Sequence, residues 1–414
     1  MAVEKTVKEK IFSFINNSED LAVELETELC KRPAISPESD GEGELEKCLF
    51  LEGWLRSHGI EDIKRYDAPD ERAKGGIRPS LIAVIPGKDD SGGSFWIMSH
   101  LDVVPPGEMS LWESDPWEVK SSGGKIIGRG VEDNQQGLTS SVIAALALIK
   151  EGIKPSRTVK LLFAADEENG SIYGIDWLLK NHPDVFNKND FALIPDAGDD
   201  KGCSIEIAEK NMLWLRFVTK GKQTHGSRPD MGANAFLAGS DLAVQLHERL
   251  SEKFSARDPL FEPDFSTFEP TKKEANVPNI NTIPGEDVFC YDMRILPCYP
   301  IDDVLKEIEK IKAEVEKKHG VSTSFEIKQR NESPATSPNS PLIKLLSANV
   351  EEVYGTKTKC IGIGGGTFAA FLRNAEIDSA VWARLNGSAH EPNEYALLEN
   401  ILGDARVMAL MMVS

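Results

Sequence analysis

The segment FWIMSHLDVV, residues 95–104, ends a run of apolar residues in a histidine and an aspartate. Phe95–Met98 follows a Gly-rich turn and reads as a strand buried on both faces. Successive strand residues point to opposite faces, so His100 and Asp102 point to the same side. Similar runs occur on either side of it. PSLIAVIPG (79–87), TVKLLFAADEENGS (158–171) and DFALIPDAG (190–198) read as strands, with helices over LTSSVIAALALI (138–149) and around YGIDWLLKNHP (173–183). Alternating strand and helix predict an α/β sandwich around a largely parallel sheet.

Residues 3–59 read as helical, broken near KRPAISPESDGEGE (31–44) before a second amphipathic helix. The rhythm changes near Asn211. MLWLRFVTKG, a helix over about 234–251, NTIPGEDVFCYDMRILP, the helix IDDVLKEIEKIKAEVEKKHG and the strand VSTSFEIKQ describe two βαβ-like halves of a smaller α+β domain. The expected organisation is a first domain over 1–210, a smaller domain inserted over 211–330 and the rest of the first domain over 331–414, entered through the Pro- and Ser-rich RNESPATSPNSP.

Of the 414 residues, 47 are Lys or Arg and 67 are Asp or Glu, a formal charge of −20. That balance argues against nucleic acid and anionic membrane as partners and favours a cation or a small ligand. The six scattered cysteines form no C-x-x-C pair and no disulfide framework, so a reducing cytoplasm is expected. The N-terminal MAVEKTVKEKIFSFINN reads as a surface helix without a signal-peptide layout, and residues 138–149 are too few to span a bilayer.

In open α/β sheets, ligands bind outside the carboxyl ends of the strands. His100 with Asp102, Asp133 in GRGVEDNQQG, Glu167–Glu168 in AADEENGS and Asp196 in LIPDAG all fall at such ends, and His390 sits in the turn NGSAHEPNE. Alone, each has a bland explanation: Asp133 as a helix cap, the two glutamates as a solvated turn, His390 as a surface residue. Together they make a plausible donor set for a borderline cation such as zinc.

SHLDVVPPG, GRGVEDNQQG, DEENGS, PDAG and SAHEPNE, in this order and spacing, resemble the co-catalytic zinc peptidases and deacylases of the M20 type over nearly the whole chain. The resemblance implies two Zn2+ ions, with Co2+ or Mn2+ as substitutes. Asp133 would bridge them, His100 and Asp196 would complete one site, and Glu168 and His390 the other. Asp102 would steady His100 by accepting its imidazole N–H, and Glu167 would be the general base.

THGSRP matches a lid segment whose histidine, here His225, reaches an active site, often that of a partner subunit. Asn281 and Arg294 match lid positions that hold a substrate carboxylate, and Gly364, Gly365 and Gly366 resemble a loop that substrate approaches closely. The peptide after Asp133 is expected to be cis. Gln136 stands where many relatives carry Lys, and Asp at 196 leans towards a dipeptidase or aminoacylase. The expected activity is therefore cleavage of a dipeptide by a homodimer joined through the lid. The alternatives are an N-acyl-amino-acid deacylase and a non-catalytic binding protein of the same fold. No phosphate-binding loop, dinucleotide site or GxSxG elbow is present.

Overall fold

A computed structural model describes residues 3–89 and 92–414. Two compact units divide the chain. One holds the chain up to Ile207 together with Thr336–Cys360 and Thr367–Ser414, the other Ala208–Ala335 and Ile361–Gly366.

An eight-stranded sheet runs in the order Ile63–Pro69, Ile77–Ile85, Val159–Ala164, Phe95–His100, Phe191–Asp199, Asp378–Arg384, Ser204–Glu209, Lys359–Ile363. It is mixed, not largely parallel. The three pairings from Val159–Ala164 to Asp378–Arg384 are parallel, while Ile63–Pro69, Ile77–Ile85 and Ser204–Glu209 join antiparallel. The parallel centre is what aligns the carboxyl ends of Val159–Ala164, Phe95–His100 and Phe191–Asp199 side by side. Trp96 and Met98 pack on one face against Ile175, Leu178, Phe368 and Leu372. The apolar helix Gly137–Lys150 packs against the same central strands and carries the C-terminal helix Leu398–Val413. Gly137 lets that helix start against strand Phe191–Asp199, since a Cβ there would lie 2.4 Å from the Pro195 carbonyl oxygen.

The N-terminal stretch forms three helices, Lys5–Asn16, Glu19–Cys30 and Leu45–His58, where the sequence reading has two. The additional break falls at Asn17–Ser18, whose side chains donate to the Ser13 and Phe14 carbonyls at 2.8 and 2.9 Å and so compete with the helical ladder. The strands Ile63–Pro69 and Thr267–Lys273 are also absent from that reading.

In the second unit, Thr267–Lys273, Glu286–Ile295, Asn211–Lys220 and Ser322–Asn331 form an antiparallel sheet in that order. Helices Ala235–Lys253 and Ile301–His319 pack on it through Leu242, Leu246, Leu250, Val304, Ile308 and Ile311. Ile301–His319 shows why it forms. Its apolar residues recur every three or four positions, Asp302 and Asp303 occupy the first turn, Lys317, Lys318 and His319 the last, and Gly320 closes it at φ 64°.

Candidate metal centre

His100 is the last residue of its strand, and Glu167–Glu168 follow the neighbouring strand after Ala165 and Asp166. Asp196 lies within the strand on the other side, so three adjacent parallel strands deliver four of the expected residues to one edge. Asp133 comes from the irregular turn Val131–Gln136, joined to Asn134 by a cis peptide bond, and His390 from the loop after Asp378–Arg384 at φ 65°.

Asp133 faces both histidines. Its Oδ1 lies 3.1 Å from His100 Nε2, and its Oδ2 lies 3.1 Å from His390 Nε2. Asp196 Oδ1 is 3.4 Å from His100 Nε2, and Glu168 Oε2 is 3.2 Å from His390 Nε2. Two donor groups result, His100–Asp133–Asp196 and Asp133–Glu168–His390, which share Asp133.

The spacing and chemistry fit a divalent cation. A tetrahedral ion with bonds of about 2.0–2.1 Å sets its ligand atoms roughly 3.3–3.4 Å apart, close to the separations found here. Electrostatics agree. The Asp133 and Glu168 carboxylates raise His390 to about 10, against the lesser effect of burial. Burial opposes protonation of His100, yet Asp102, Asp133 and Asp196 together hold it well above the ordinary range. Burial, reinforced by Asp196, lifts the Glu167 carboxyl well above the usual carboxylate range. Such a concentration of carboxylates around two imidazoles calls for positive charge.

Asp102 meets His100 through both its backbone and its side chain. His100 Nδ1 is 2.9 Å from the Asp102 backbone carbonyl and 3.5 Å from its carboxylate. The carboxylate also accepts the backbone N–H groups of Glu167 and Glu168, at 3.1 and 3.0 Å. The short span from residue 100 to 102 folds the carbonyl back onto the ring, and the fully buried carboxylate holds the turn bearing the two glutamates.

The Peptidase family M20/M25/M40 profile matches residues 96–414. The chain belongs to this family. It is an M20 metallohydrolase, a hydrolytic enzyme with the mixed α/β architecture of its structural neighbours. It is 38% identical over 409 residues to an uncharacterized metallohydrolase of Methanococcus maripaludis, covering 94% of this chain and 97% of that one. It is 25% identical to a succinyl-diaminopimelate desuccinylase of Methylocella silvestris, covering 94% and 96%. Its fold matches a di-peptidase of Saccharomyces cerevisiae at a TM-score of 0.75 with 16% identity, over 98% of each chain.

The remaining expected residues of this M20 chain lie in the second unit. His225 is exposed, its Nδ1 2.8 Å from Ser227 Oγ, and it pairs with Thr282 beside Asn281, whose carbonyl accepts the Gly226 N–H at 2.7 Å. Arg294 gives its fork to Asp292 at 2.6 and 3.0 Å and donates to the Gly364 carbonyl at 2.6 Å. Among the described residues no atom lies within 4 Å of a Cβ placed on Gly364, and the nearest to Gly365 and Gly366 are at 4.0 and 3.7 Å.

Four polar residues with no role in the sequence reading support the metal centre. Asn134 donates to the Pro195 carbonyl and to Asp196 Oδ1, both at 2.7 Å, and accepts the His100 N–H at 3.3 Å. Glu132 and Glu394 hold the loops that carry Asp133 and His390, and Arg129 pairs with Glu394 at 2.5 Å. Glu132 and Glu394 stand within four residues of a ligand in Gly- or Pro-bearing motifs, which is the only signal for them in the sequence. Gln136 donates to the Arg384 carbonyl at 2.8 Å and to Asp404 at 3.3 Å.

Proposed function

We propose that this chain is a two-cation amide hydrolase that cleaves a dipeptide or similarly small carboxylate-bearing substrate. The observation that carries this reading is the split of Asp133, one carboxylate oxygen towards each of two separate His-and-carboxylate pockets. His100, Asp133 and Asp196 would hold one ion, and Asp133, Glu168 and His390 the other. Zinc suits the mixed nitrogen and oxygen donors, with cobalt or manganese as substitutes. When bound, the two cations supply acidity to the attacking water and polarise the substrate carbonyl.

Glu167 accepts the proton that the water loses as its oxygen attacks the amide carbon. The same carboxyl then delivers that proton to the leaving nitrogen as the C–N bond breaks, giving a carboxylate and an amine. Its raised proton affinity, caused by burial beside Asp196, suits a group that must take and return a proton. His225 is proposed as a hydrogen-bond donor to the developing oxyanion, acting across a homodimer. Asn281, Arg294 and Gly364–Gly366 are proposed as contacts for the substrate carboxylate, and the second unit as both lid and dimerisation surface.

A second reading, an N-acyl-amino-acid deacylase, is favoured by the 25% identity to a desuccinylase over 393 residues. The deciding experiment is hydrolysis of a mixed panel of dipeptides and N-acyl amino acids by zinc-loaded protein, followed by mass spectrometry, with a chelated control. Chelator-sensitive loss of dipeptides supports the first reading, and loss of acylated amino acids alone replaces it with the second. A panel left intact by protein carrying two zinc ions overturns both.

A further inference from the structure

The loops that carry Asp133 and His390 hold one another through two buried carboxylates. Glu132, beside Asp133, accepts the backbone N–H groups of Asn386, Gly387 and Ser388 and the Ser388 hydroxyl, the Gly387 contact at 3.1 Å and the hydroxyl at 2.6 Å. Glu394, four residues beyond His390, accepts the N–H groups of Gly130, Glu132 and Asp133 at 3.0, 2.9 and 3.0 Å. Each loop thus supplies one donor group to the cluster and one carboxylate to the other loop.

The two carboxylates are compensated differently. Glu394 has the buried Arg129 as an ion-pair partner, and Arg129 Nη2 also reaches the His390 carbonyl at 3.2 Å. Among the described residues no Lys or Arg pairs with Glu132, which is 2% exposed; its charge is met by the donors of residues 386–388 alone. A buried carboxylate is tolerated only while such donors stay in place. The loop before His390 therefore has one conformation that satisfies Glu132, and this conformation sets His390 against Asp133 and Glu168.

We infer that Glu132 and Glu394 are positioning residues with unequal reach: Glu132 fixes only the pocket of Asp133, Glu168 and His390, whereas Glu394, by holding the backbone of the shared Asp133, fixes both pockets. The inference rests on the two-cation reading above and extends it to groups that touch neither cation nor substrate. Neither carboxylate is within the donor groups His100–Asp133–Asp196 and Asp133–Glu168–His390.

The test is calorimetric titration of the metal-free full chain with Zn2+, with retained metal counted by mass spectrometry after dialysis. Wild type, Glu132→Gln, Glu394→Gln, and the reference variants His100→Ala and His390→Ala are compared. Glu132→Gln keeps the acceptor oxygen for part of the set but turns an NH2 against the remaining donors. The expected result is one ion bound with wild-type affinity and a second weakened by about 10- to 100-fold, as is usual for loss of a group orienting a ligand. Its isotherm should resemble that of His390→Ala and not that of His100→Ala, and Glu394→Gln should weaken both ions.

Wild-type affinities at both sites in Glu132→Gln, or equal weakening of both, overturn the inference and leave the two-cation reading standing. Fewer than two ions bound by wild type overturn that reading and the inference with it. Should Glu132→Gln fail to fold, Ser388→Ala decides, because it removes the hydroxyl donor to Glu132 and leaves the three backbone N–H donors in place, at the added loss of the acceptor for the Tyr395 N–H at 3.0 Å. A selectively weakened second ion then supports the positioning role, and an unchanged isotherm overturns it.

Discussion

Asp133 shows how far one side chain can organise a site. Its two oxygens face imidazoles that enter from segments more than 250 residues apart in sequence. Glu167, in contrast, makes no contact that defines either donor group, so its removal separates chemistry from cation binding. Glu167→Gln is expected to retain both ions by mass spectrometry and to lose about 10²- to 10⁴-fold in kcat, the usual span for a general acid–base group. A near-normal kcat removes Glu167 from the mechanism. Below the same turn, the fully buried Arg78 pairs with the equally buried Glu44, with Nε–Oε2 at 2.7 Å, and lies 3.3 Å from Asp166. Arg78→Met strands those two carboxylates and is expected to lower stability by about 3–5 kcal/mol in urea unfolding. The residues that meet in the two donor groups were legible because His, Asp and Glu are conspicuous at the ends of apolar strands. Glu132, Glu394 and Asn134 were not, since a residue that acts by hydrogen bonding a distant backbone leaves no local pattern.

The C-terminal helix Leu398–Val413 illustrates what an element adds. Gly403 faces the Tyr354 ring so closely that a Cβ would lie 2.0 Å from its hydroxyl oxygen, and that hydroxyl donates to Asp404 at 2.7 Å. By intrinsic propensity Gly403→Ala would gain about 1 kcal/mol in the helix. Here it is expected to destabilise, read as a lowered Tm, because the close approach outweighs propensity. Asp404 gives this helix a pH dependence. Burial, against the Tyr354, Arg384 and Gln136 hydrogen bonds, raises its carboxyl from the ordinary 3.8 to about 7. Folding then takes up a proton between those values. The stability linked to this group is present in full below about pH 4 and lost as pH rises through 7. With chelator present, the fall in urea midpoint across this window should be smaller in Asp404→Asn than in wild type; equal falls would exclude Asp404 as its source. Elements with strong periodicity, such as Ile301–His319, were readable in the sequence, whereas two edge strands were not. Thr267–Lys273 buries only Phe268, and Ile63–Pro69 buries only Tyr66 and Ala68 beside Lys64, Arg65 and Asp67, so each has too short an alternation to read as a half-buried strand.

At the scale of the molecule, the second unit carries an apolar surface of its own. Phe236 and Val244 are 46% and 55% exposed on helix Ala235–Lys253, and Thr267–Lys273 is the edge of the sheet beneath. A homodimer of the kind proposed above would use this surface, since exposed apolar groups beside an open strand edge favour association. Sedimentation velocity should find a dimer for wild type and a monomer for the Phe236→Glu, Val244→Glu double variant, which should keep both ions but lose turnover if His225 acts in trans. A wild-type monomer, or a monomeric variant with full activity, rejects that arrangement.

Hydrophobic period, ligand-type residues at strand ends and five ordered motifs were enough for the sequence by itself to determine the α/β class, the family and the residues drawn together as donors. These signals are local, because burial and side-chain chemistry repeat with the period of each element. The mixed pairing of the sheet, the carbonyl contact of His100 and the exchange of Glu132 and Glu394 between two loops were decided only in the tertiary structure. Each depends on which distant segments meet, and that is settled by satisfying buried hydrogen-bonding groups across the fold, a requirement that no short stretch of sequence records.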